Sequence, residues 1–123
     1  MSQIMRLAEV FHQDDYDETM DFVIAVAADV LVIPVTHAHV QKTTGDNAEA
    51  WTLANGKPGQ ILTMILAVDG GGTGTLTPAT CTGFTTIAFA DAGDSAVLMY
   101  INDFGGWRIW SVHGLAGTIP VVT

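Results

Sequence analysis

Between Leu53 and Ser111 the chain runs in short β-branched or aromatic stretches, cut by Gly, Pro, Asn and Asp about every ten residues. That spacing leaves no room for ordinary helices and calls for strands and tight turns. The expected fold class is all-β, a small antiparallel β-sandwich or barrel of jelly-roll type. One β domain over residues 22–123 should follow an extended N-terminal arm, residues 1–21.

Along the chain, Ile4, Leu7, Ala8 and Phe11 share one helical face, so residues 1–11 read as a short amphipathic arm. Asp14, Asp15, Asp17, Glu18 and Asp21 follow as a self-repelling, solvated or partner-binding segment. Phe22 to Val35 is apolar apart from Asp29. A membrane-spanning helix needs about 20 residues, and Pro34 with Asp29 would break one, so two short strands or one kinked strand are expected. His37 and His39 should share a strand face. Lys42 to Glu49 reads as a polar loop, Ala50 to Leu53 as a strand, and Asn55-Gly56-Lys57-Pro58-Gly59 as a turn with positive φ at Asn-Gly.

Ile61 to Val68 is almost wholly apolar, which predicts burial on both faces, one of them against a neighbouring layer or subunit. Asp69 to Thr75 is a glycine loop, and Leu76-Thr77-Pro78 an edge or strand end. Phe84 to Phe89 and Ala96 to Asn102 read as a hairpin joined at Asp91 to Ser95, with Ile87, Phe89, Val97 and Met99 in one core layer. Trp107 to Val112 and Thr118 to Val122 complete the strands. No clean repeat suggests a solenoid.

Thirteen acidic residues against four basic ones give a formal charge of −9. Nucleic-acid binding needs clustered Lys and Arg, and Arg6, Lys42, Lys57 and Arg108 are scattered, which argues against DNA, RNA and anionic membrane. Cys81 alone can form no intramolecular disulfide, which suits a reducing compartment. Residues 12–21 are too acidic for the apolar stretch of a secretory signal, so none is expected. Hydrophobic residues make up 49% of the chain and charged ones 14%, more apolar surface than one small core hides, which points to oligomerisation.

No catalytic set is legible. The run Gly70-Gly71-Gly72-Thr73-Gly74 lacks the Lys-Ser/Thr and helix of a phosphate loop and reads as a sharp turn. Asp91 and Asp94 are explained by Asx-turn chemistry around Gly93, and Cys81 has no nucleophile signature. His37 and His39, with His12 or His113, could hold a transition metal but fit an interface or surface better. No catalytic, cofactor or metal residue is therefore assigned. Trp51, Trp107, Trp110 and Tyr100 could form a sugar-stacking platform. Alternation puts Trp107 with Ile109 on one face and Arg108 with Trp110 on the other, so one tryptophan should be core and the other outward, at a subunit contact or a glycan.

Four segments, Asn55-Gly56-x-Pro58-Gly59-Gln60-x-Leu62-Thr63, Gly72-Thr73-Gly74-Thr75-Leu76-Thr77-Pro78-Ala79-Thr80, Phe89-x-Asp91-Ala92-Gly93-Asp94-Ser95 and Gly106-Trp107-x-Ile109, resemble a β-module of tailed-bacteriophage virion proteins. The module occurs in capsid decoration (cement) proteins, head fibres and tail-fibre tips. The resemblance implies a homotrimer seated on the major capsid protein at the virion surface, made in the host bacterial cytoplasm and requiring no cofactor. With no repeats and no shaft, a decoration protein fits better than a long fibre. A receptor- or glycan-binding fibre module is the alternative. Residues 1–21, outside the resemblance, are then expected to order on the capsid or on an adjacent trimer.

Overall fold

From the first strand to the sixth, the chain of this computed structural model changes sheet at every turn. Residues 22–115 and 117–123 are described. Ten strands result: β1 Val23–Val26, β2 Val32–Ile33, β3 His39–Thr43, β4 Glu49–Leu53, β5 Ile61–Val68, β6 Gly74–Pro78, β7 Ile87–Phe89, β8 Ser95–Tyr100, β9 Trp107–His113 and β10 Val121–Val122. They form two five-stranded sheets, ordered β1-β3-β5-β8-β9 and β10-β7-β6-β4-β2. Leu62, Met64, Leu66 and Leu98 from the first sheet meet Trp51, Leu53, Leu76, Ile87 and Phe89 from the second in one core. The fold is all-β and a sandwich.

The purely antiparallel expectation is corrected. β1, β3 and β5 pair in parallel, as do β2, β4 and β6, while β7 to β10 join antiparallel. A chain that crosses to the opposite sheet at each turn returns to the first sheet running the same way, so its first half is wound like a short solenoid. Val23 pairs with His39 but His39 with Thr63, so successive coils differ in length and leave no period in the sequence. For the same reason Asp91 to Ser95 is no hairpin turn: β7 and β8 lie in opposite sheets.

Stacked coils explain the glycines. A Cβ on Gly70 would lie 2.2 Å from the Thr44 carbonyl oxygen, on Gly72 2.0 Å from that of Asn47, and on Gly74 1.9 Å from the Trp51 ring. The run is a site of close approach between one coil and the next. Gly74→Ala should therefore cost about 3 kcal/mol, the upper end for overpacking, read as a lowered midpoint in urea unfolding. Gly56 likewise lies beneath Trp107, and its φ is not positive; the left-handed residue of that turn is Gly59.

The expected polar loop from Lys42 to Glu49 is also corrected at both ends. Lys42 ends inside the core on β3 and Glu49 on β4, paired at 2.8 Å with side chains 0% and 2% exposed. Lys42 Nζ also donates to the Ala27 and Thr43 carbonyls, and Glu49 accepts from Trp51 Nε1 and the Asp29 and Gly45 amides. The Lys42 ammonium lies 5.0 Å from the Trp51 ring centroid. With all its donors and acceptors used, the pair ties the β1–β2 and β3–β4 turns to the sandwich.

Candidate functional site

Alternation decides which side chains the first sheet shows to its outside. One row crosses all five strands as Val23, His39, Thr63, Val97 and Ser111, and the next as Ala25, Gln41, Ile65, Ser95 and His113. Ile61, Met99 and Arg108 begin a third. Among the described residues no strand of this sheet contains an aspartate or glutamate, and in the opposite sheet the only strand carboxylate is the buried Glu49.

Among the described residues the exposed carboxylates lie in turns. Because β1, β3 and β5 run parallel and β7 runs back beside β6, the turns carrying Asp29, Asp46, Asp69 and Asp91 share one end of the sandwich. Among the described residues these four exposed carboxylates mark one end of the sandwich, Asp103 lies in the β8–β9 turn at the other, and Arg108 is the one ionic side chain on the outer face of the first sheet. Asp94, in the same group of turns as Asp91, is buried; its Oδ2 accepts the amides of Ala90 and Asp91 upstream, not one two residues on as the expected Asx turn would, and its Oδ1 has no partner.

At the β9 edge the register shifts between Val97 and Leu98, whose partners are Ser111 and Ile109, so Trp110 is the extra residue of a β-bulge. It points outward and is 64% exposed, whereas Trp107 is fully buried, as alternation predicted. Met99, Ile101, Arg108, Ile109 and Trp110 line a hollow of about 290 Å³ there. Trp51 and Tyr100 are core, so the four aromatics form no platform. Tyr100 donates to Asp103 at 2.5 Å, and that bond together with burial pushes its pKa up to about 12.

Val97 and Met99, expected in the core with Ile87 and Phe89, lie on this outer face instead. Ala96, Leu98 and Tyr100 occupy the inner positions. Every residue from Ala96 to Tyr100 is apolar or aromatic, so alternation had two equivalent phases. His37 precedes β3 and bonds Thr36, while His39 bonds Gln41, so the two do not share a strand. Among the described residues no group of three His, Cys, Asp or Glu is placed to hold a metal. The Cys81 thiol donates to the Phe84 carbonyl at 3.1 Å, and burial pushes its pKa up.

The segments that carry the phage resemblance fall on the scaffold. Gly56 makes room for Trp107, Gln60 donates to the Val35 carbonyl, Gly74 makes room for Trp51, and Trp107 Nε1 donates to the Ala54 carbonyl. No protein-family model matches the chain, and no curated protein matches it in sequence. Among the described residues no helix is long and apolar enough to cross a membrane.

Proposed function

We propose that the chain is a capsid decoration (cement) protein of tailed phages, a homotrimer that binds the outer surface of the major capsid shell and stabilises it. The observation that carries this reading is the outer face of the first sheet, which among the described residues bears no carboxylate and has apolar residues on its two central strands. Ile61, Ile65, Val97 and Met99, interleaved with Thr63 and Ser95, give a centre that a neighbouring subunit can cover without desolvating an acid. Trp110 at its rim suits an anchor residue. The acidic end stays outside such a contact and suits a basic region of the capsid. A cement protein needs no reaction: contact area that bridges capsid subunits opposes internal pressure by burial alone.

Light scattering should give three times the chain mass, and the trimer should co-sediment with capsids stripped of their decoration. A monomer indifferent to capsids removes the reading.

The exposure of Trp110 beside Arg108 favours one second reading, a glycan-binding fibre module. Trp110→Ala separates the two. At a subunit contact the change should weaken assembly by about 2 kcal/mol, seen as a trimer that dissociates at higher protein concentration than the parent. In a glycan site the trimer persists and binding to a glycan array is lost.

A further inference from the structure

Among the described residues one buried side-chain oxygen has no hydrogen-bond partner, Asp94 Oδ1. Asp94 is 1% exposed and its turn is firmly held. The Leu66 amide donates to the Asp94 carbonyl and the Gly93 amide to the Leu66 carbonyl, both at 2.8 Å, while Oδ2 takes the Ala90 and Asp91 amides. The side chain cannot swing out to water without breaking those last two bonds. A buried carboxylate oxygen left bare is costly, so Oδ1 calls for a partner.

Oδ1 faces the connection between β9 and β10. A Cβ added to Gly114 would overlap the Thr118 carbonyl oxygen and stand 3.0 Å from Oδ1, so the two oxygens converge on the space beside Gly114. Two acceptors cannot bond each other. A water could donate to both but would leave the buried carboxylate charge unopposed. Among the described residues no Lys or Arg opposes it: Lys42 is paired with Glu49, Lys57 lies in the β4–β5 turn at the far end, and Arg108 opens β9 there. His113, on the outer face of the first sheet, bonds Ser111. Asp29, Asp46, Asp69 and Asp91 occupy turns at the same end and make its potential more negative. A hard cation meets both needs, because it takes carboxylate and carbonyl oxygens alike and completes its shell with water.

We propose that Asp94 Oδ1 and the Thr118 carbonyl oxygen bind a divalent cation of the calcium class, which pins the β9–β10 connection onto the β7–β8 turn. The exposed aspartates draw the ion in without ligating it, so the site does not need three acidic side chains. β10 is only two residues long, and the pin holds the chain that leads into it. The inference does not depend on the capsid reading, and its tests use no capsids.

CaCl2 added to the chelator-treated full-length chain tests it. In amide NMR spectra Ala90, Asp91, Gly114 and Thr118 should shift together and saturate at about 1 mM calcium, in the range of weak sites. Shifts that follow Asp29, Asp46 and Asp69 without saturating would mean an adventitious ion only and overturn the proposal. No shift at Gly114 and Thr118 also overturns it and leaves Oδ1 to a water. Asp94→Asn keeps an oxygen for the two amides and offers an NH2 to Thr118. With about 10 mM CaCl2 the parent's unfolding temperature should rise by about 5 °C and the variant's should stay put. An equal response in the two proteins, rise or none, overturns the proposal.

Discussion

Glu49→Gln should lower the free energy of unfolding by about 3 to 5 kcal/mol, because it leaves the Lys42 ammonium charged and uncompensated inside the sandwich. Lys42→Met combined with Glu49→Gln should recover much of that loss, since the cost lies in the orphaned charge and not in the absence of the pair. Urea unfolding of the two variants beside the parent measures both. The same site sets an acid limit. Burial alone would raise the Glu49 pKa, but the Lys42 hydrogen bond, with those from Gly45, Trp51 and Asp29, outweighs it and brings the value from 4.5 down to about 2. A carboxylate with a depressed folded-state pKa contributes stability above its unfolded value and loses it as pH falls through the folded one. The parent should therefore lose on the order of 3 kcal/mol between about pH 4.5 and pH 2, a slope that Glu49→Gln should lack. Equal slopes in both proteins would mean that other carboxylates govern acid unfolding.

Val97→Asp should abolish the proposed trimer while leaving a folded subunit. Val97 lies on β8 between Thr63 and Ser111, in the middle of the carboxylate-free face and only partly buried in the single chain. In the lone subunit its carboxylate can reach water, so the fold should lose only about 1 kcal/mol. Inside a contact each copy would bury an unpaired charge, which costs several kcal/mol per ion. Light scattering should then report the mass of one chain, with an unchanged far-ultraviolet circular dichroism spectrum. A persisting trimer would place the contact elsewhere, with the opposite sheet the next face to charge.

How much of this was legible beforehand depends on whether a residue's partners are local. The turn before Gly59 and the alternation of Trp107 against Trp110 were readable, because neighbouring residues decide them, and of the two alternatives for Phe22 to Val35 the structure has the two short strands. The parallel winding was not. It depends on which sheet each turn delivers the chain to, and unequal coil lengths erased the period. The buried ion pair was missed because Lys42 and Glu49 are seven residues apart across a Gly-Asp-Asn turn, an ordinary polar loop to any local reading. The outer face was hidden for a different reason. β5 and β8 are apolar in both phases, and only the register fixes Val97 and Met99 on the outside. Ile61 to Val68 was expected to be buried on both faces; the structure buries only the Leu62, Met64 and Leu66 face, and Ile61 and Val68 are 41% and 54% exposed.

The mixed winding also sets an order for folding. β8 and β9 meet across one short turn and can pair as soon as both exist, whereas each parallel pair must first close a loop through the opposite sheet. By sequence separation β1 on β3 comes next, Val23 to His39 being 16 residues, then β3 on β5, His39 to Thr63 being 24, while β5 on β8 spans at least 30, Ile65 to Ser95. Loop closure should therefore leave the β5–β8 pair until last, so that the wound first half and the antiparallel second half form as two pieces before they join into one sheet.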